Sequence, residues 1–152
     1  MGCMDSPTDC IFCDIVAGRL PATMVDADDL TVAFVDLRQF HPGHVLVIPR
    51  EHVPDIRRAS EPTAAAVLTM VARVSRAVEE AFPADGLSVW HSAGPGANQE
   101  VPHMHFHVHP RVQGDDLLRV YPQSPNLPSR ETLSEWGARL RAALARANVE
   151  AS

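Results

Sequence analysis

The segment His103-Met104-His105-Phe106-His107-Val108-His109 places four histidines at alternate positions. With 8 histidines in 152 residues, random placement produces such a run in roughly one chain in a thousand. On a strand, alternate side chains share a face, so the four imidazoles point one way and Met104, Phe106 and Val108 the other. The apolar face belongs on a core and the imidazole face on a cleft. Two chemistries suit that face. Alternate histidines on a strand chelate metals. A neutral imidazole is also a good nucleophile near pH 7; it can attack phosphorus and later leave, splitting one hard displacement into two. A second imidazole, roughly 7 Å further along the strand, can reach another atom of the same phosphate. There it would hold an oxygen or pass a proton to the leaving group. Alternation alone does not say which imidazole attacks. Upstream, Gly94-Pro95-Gly96-Ala97-Asn98-Gln99 is a small, bending loop whose backbone N–H groups could face an anion.

A second chemical pattern is Cys10-x-x-Cys13. Alone it is a half-site: two buried thiols, a redox pair or half of a zinc site. Cys3 stands apart in the leader. Three cysteines and an opening MGCMDSPTDC without a basic or apolar signal segment lead us to expect a reducing, cytoplasmic setting.

Composition narrows the classes. At 152 residues and 45% hydrophobic, the chain can bury a real core as one domain. The expected division is a leader over 1–9, one domain over 10–147 and a tail over 148–152. No apolar run approaches the roughly 20 residues of a membrane span. A net charge of −6 argues against nucleic acid and anionic membrane as partners.

The elements that must position these residues follow from pattern. CIFCDIVAG reads as a short helix closed by Gly18. MVDADDLTVAFVD reads as two strands around a turn, and 44–50, 87–93 and 103–109 as further strands. Val67, Val71, Val74, Val78 and Phe82 mark a helix over 61–82 with Ser60 as its cap. A last helix is expected near 130–147, with Leu133, Trp136, Leu140 and Leu144 on one face. Three prolines make 112–130 irregular. Strands broken by one long helix predict an α+β fold with a mainly antiparallel sheet.

Taken together, QEVPHMHFHVHPR (99–111) closely resembles the signature of the histidine triad (HIT) nucleotide hydrolases and transferases. CIFCDIVAGRLPA and VAFVDLRQFHPGHVLVIPREH (32–52) resemble the opening blocks of the Hint branch, so the resemblance spans about residues 10–111. It implies the HIT fold with a five-stranded antiparallel sheet, a homodimer, and a nucleoside monophosphate bound over the sheet. Position by position, it implies His105 as the nucleophile and His107 as the holder of phosphate oxygens and leaving group. His103 would orient the nucleophile, and His44 would support the triad. Gln99 corresponds to a phosphate contact, and Ser92 stands where that contact's usual asparagine companion would be. Asp36 corresponds to the ribose acceptor, and Ile11, Phe12, Phe34 and Leu37 to the walls around the base; those four also suit plain core packing. Asn98 replaces a usual glycine, and Pro102 a larger residue. His109 lies outside the triad, where no role or a rim contact is expected.

Bacterial members of this resemblance hold structural zinc with a Cys-x-x-Cys pair, the histidine after Ile-Pro-x-x and the first triad histidine. Those positions here are Cys10, Cys13, His52 and His103. The implied activity is hydrolysis of a purine nucleoside phosphoramidate through a histidine–AMP intermediate, without an organic cofactor. Alternatives are hydrolysis of a dinucleoside polyphosphate, a metal-dependent hydrolase using the histidine strand as ligands, and a nucleotide-binding interaction protein with little turnover.

Overall fold

The computed structural model describes residues 9–150; Cys3 and most of the expected leader lie outside them. The order is α1 (Ile11–Val16), β1 (Met24–Ala27), β2 (Thr31–Val35), β3 (Val45–Pro49), α2 (Glu61–Ala81), β4 (Gly86–Trp90), β5 (Phe106–Arg111) and α3 (Arg130–Glu150). The strands form one sheet in the order β1-β2-β3-β5-β4, every neighbouring pair antiparallel. The expected α+β fold with one five-stranded antiparallel sheet is what the chain adopts.

The two sheet faces carry different cores. Val45, Val47 and Val108 pack with Val67, Met70, Val71, Val74 and Val78 of α2, and Met104 joins them. The valine spacing of α2 therefore buries one stripe, and Ser60 caps it, its hydroxyl accepting from Thr63 N–H at 3.3 Å. On the other face Leu46, Ile48, Val32 and Phe34 pack with Phe12 and Cys10. This second cluster brings the Cys-x-x-Cys segment beside the imidazoles.

Several boundaries differ from the sequence reading. The first helix stops at Val16, and Gly18 sits just beyond it at φ +72°, a left-handed position suited to glycine. The fourth strand ends at Trp90 rather than continuing to 93. The histidine strand begins at Phe106 rather than at 103. Ahead of it, Met104 N–H bonds the Val53 carbonyl at 2.7 Å, so this stretch is tied to a loop instead of a neighbouring strand. Met104, Phe106 and Val108 nevertheless face the core as expected.

The chain divides into two compact units at Leu117/Leu118. In the second, α3 runs to Glu150 and buries no residue; Leu133, Trp136, Leu140 and Leu144 are all exposed. Segment 112–129 is irregular. Among the described residues no helix is long and apolar enough to cross a membrane.

Candidate active site

The hydrogen bonds of the histidines assign their protons. A carbonyl only accepts, so a ring nitrogen facing one must carry hydrogen. His105 Nδ1 donates to the His103 carbonyl at 2.7 Å, which leaves a lone pair on Nε2 when the ring is neutral. His44 Nδ1 donates to the Arg38 carbonyl at 2.8 Å. In the neutral ring its Nε2 then accepts, and the donor is His107 Nδ1 at 2.9 Å. Neutral His107 is thereby left with its own lone pair on Nε2. The rings of His105 and His107 stand 5.1 Å apart, edge to face.

Burial favours the neutral form of His105 and His107. It lowers the pKa of His105, and it lowers that of His107 to about 3, with His105 and His44 adding further disfavour to a positive charge. A neutral His105 with a free Nε2 is a nucleophile in its reactive state.

Beside the triad lies a cleft of about 280 Å³ lined by Ile11, Phe12, Phe34, Asp36, Leu37 and Val101, among others. Phe12 meets both Phe34 and His105 edge to face, at 5.7 and 5.2 Å. Leu37 borders the cleft but is 99% exposed, a loose flap of wall. Asp36 is buried; Oδ1 accepts from Arg38 N–H at 2.8 Å, while Oδ2 has no hydrogen-bond partner and lies 3.6 Å from His44 Nε2. A buried orphan acceptor is costly unless something completes it.

The other expected phosphate contacts are placed differently. Gln99 accepts from Gly94 N–H at 2.8 Å and donates to the Pro54 carbonyl at 2.6 Å. Its amide braces the loop at both ends. Ser92 is half-buried between β4 and that loop. Asn98, where a glycine was expected, sits at φ +60°, a left-handed conformation that asparagine tolerates better than most residues. The substitution therefore keeps the loop's turn.

His109 corrects the sequence reading. It is 1% exposed, not at the rim, and packs 4.5 Å from the His44 ring. The reading also missed four contacts. Trp90 stacks on His107. His91 Nδ1 donates to the His105 carbonyl while its Nε2 accepts from Ile56 N–H. Arg38 pairs with Glu100 at 2.9 Å across the cleft. Each depends on loop paths that local pattern does not encode.

Behind the triad, Cys10, Cys13, His52 and His103 bring four ligand atoms within 4.8 Å of one another. Thiol–imidazole separations are 3.5 Å for Cys10–His103, 3.3 Å for Cys13–His52 and 3.6 Å for Cys13–His103. A tetrahedral site with ordinary Zn–S and Zn–N bonds has edges of about 3.6 Å. His103 Nε2 donates to the Pro49 carbonyl at 2.9 Å, which turns the Nδ1 lone pair toward the thiols, as an outer partner does for a metal-ligating histidine. Burial raises Cys13 to about 11, so this thiol stays protonated near neutral pH unless a cation is beside it.

A reactive imidazole, a second imidazole beside it that is hydrogen-bonded to His44, and a nucleoside-sized cleft on an antiparallel sheet define a nucleotide hydrolase or transferase of the histidine type. The chain belongs to the HIT family: residues 17–114 match the HIT domain. It is 35% identical over 120 residues to the adenosine 5'-monophosphoramidase hnt1 of Schizosaccharomyces pombe, covering 76% of this chain and 87% of that one. A Streptococcus mutans protein of known structure superposes with a TM-score of 0.84 at 33% identity, covering 91% and 87% of the two chains. A Zn-bound histidine triad protein from Mycobacterium smegmatis is 36% identical, with a TM-score of 0.68 over 95% and 99%.

Proposed function

We propose that the protein is a purine nucleoside phosphoramidase acting through a covalent His105–AMP intermediate. The observation that carries this is the tautomer of His105: the His103 carbonyl holds Nδ1–H and leaves the lone pair on Nε2, in a ring that packs edge to face on Phe12 of the cleft wall. The Nε2 lone pair forms a bond to the α-phosphorus as the P–N bond breaks. The departing nitrogen takes a proton from His107, protonated at Nε2 when the phosphate anion is bound. Water then attacks phosphorus and gives a proton back to His107, and AMP leaves His105. Asp36, which lines the cleft, accepts from the ribose hydroxyls. Ile11, Phe12, Phe34 and Leu37 flank the base.

Zinc suits the site of Cys10, Cys13, His52 and His103, where it would tie the N-terminal segment to the triad. It would be closed and structural. We further read the protein as a cytoplasmic homodimer. Dinucleoside polyphosphates are the second substrate class. One observation favours a binding protein with little turnover instead: the Gln99 amide is spent on Gly94 and Pro54. Steady-state release of AMP from an adenosine phosphoramidate tests the reading. Turnover is expected without added metal. AMP binding without product would favour the binding protein, and loss of turnover to EDTA with zinc still bound would favour a metal-dependent hydrolase.

A further inference from the structure

Trp90 and His107 are direct cross-strand partners of β4 and β5. Their rings lie 4.4 Å apart and 5° from parallel. Among the described ring pairs of the triad this is the closest and flattest. His107 is otherwise surrounded by groups that oppose a positive charge on it. His105 and His109 flank it along the chain, His44 reaches it from just before β3, and Arg38 bears on it from the same loop. One carboxylate, Asp36, lies within 4.8 Å of it but beside His44. The π face of an indole attracts a cation and is the best aromatic surface for doing so.

We propose that Trp90 is a positioning residue for leaving-group protonation: its indole fixes the plane of His107 and favours the imidazolium form that donates to the departing nitrogen. The inference rests on the reading of His107 given above. The plane matters because one ring must satisfy two directions at once. Nδ1–H must meet His44 Nε2, and Nε2 must face the reacting group. Tilting the ring breaks one of these. The charge matters only where the leaving group needs a proton. An alkylamine leaves as a neutral amine only after taking one; p-nitrophenolate leaves without it.

Two measurements test this. Proton NMR of the wild-type protein reads the stack without any turnover: His107 ring protons should be shifted upfield by the indole. An unshifted His107 overturns the proposal. The second compares kcat/KM for an adenosine alkylphosphoramidate and for the p-nitrophenyl ester of AMP. Trp90→Leu should lose roughly twofold to thirtyfold on the amide and little on the ester. Trp90→Phe, which keeps an aromatic face, should restore most of the amide rate. His107→Asn should show the same selective loss, more strongly. An equal loss on both substrates in Trp90→Leu, or none, overturns the proposal while leaving His107 in place. A wild type inactive on both substrates, or a His107→Asn without leaving-group selectivity, overturns the underlying reading and the inference with it.

Discussion

Asp36 illustrates what one side chain contributes. Its Oδ1 accepts from Arg38 N–H and its Oδ2 lies 3.6 Å from His44 Nε2 without a hydrogen bond, so the carboxylate keeps acceptor capacity for a ligand that donates to it from the cleft it lines. Replacing Asp36 with Asn should weaken AMP binding about tenfold, measured by calorimetry, with the fold unchanged by circular dichroism. Equal affinity would remove the ribose assignment. The four residues proposed to hold zinc, Cys10, Cys13, His52 and His103, would act as a unit. Cys13→Ala should abolish metal content measured by mass spectrometry and lower Tm by roughly 5 °C or more. A wild-type protein without zinc, or a variant equally stable, would contradict the closed metal site. At this scale the sequence was informative wherever residue type alone decides. The alternating imidazoles and the Cys-x-x-Cys pair were visible. His109 was not, because its burial depends on His44 and Trp90 arriving from other strands.

The elements that position these residues were legible to different degrees. The valine stripe of α2 and its Ser60 cap are local patterns and formed where expected, whereas Phe82, expected to continue the stripe, ends the helix and is exposed. Met70 is fully buried in that stripe, so Met70→Ala should cost about 2–5 kcal/mol in urea denaturation. A cost under 1 kcal/mol, the usual size of a surface change, would mean that the α2 face is not the core described. The β4–β5 register was beyond local reading. It is set by the loop between Trp90 and Phe106, whose path is held by Gln99 and His91. For the same reason the strand was expected to start at 103. Alternation continues through His103 and His105 in the sequence, but the backbone there bonds Val53 instead of a strand. Pairing across the sheet made Trp90 a partner of His107, and no periodicity within β4 points to it.

Over the whole molecule, buried histidines and paired carboxylates make stability depend on pH. His107 falls to about 3 in the folded chain through burial, against its ordinary 6.5. The unfolded chain therefore binds more protons below 6.5, and stability is full above that pH and declines toward 3. Asp55, held at about 2 chiefly by its bond to Arg57, contributes stability above 3.8 that is lost as pH falls toward 2. Urea midpoints should drop from pH 7 to pH 5, and less so in His107→Asn; an identical decline in both would contradict the burial of a neutral His107. The central claim concerns the bond that His105 makes. The most direct test is intact-protein mass spectrometry after brief mixing with an adenosine phosphoramidate, wild type against His105→Asn. The account predicts an AMP adduct on the wild type, absent from the variant, that decays to free AMP. No adduct and no turnover in a wild type that still binds AMP would contradict nucleotidyl transfer through His105.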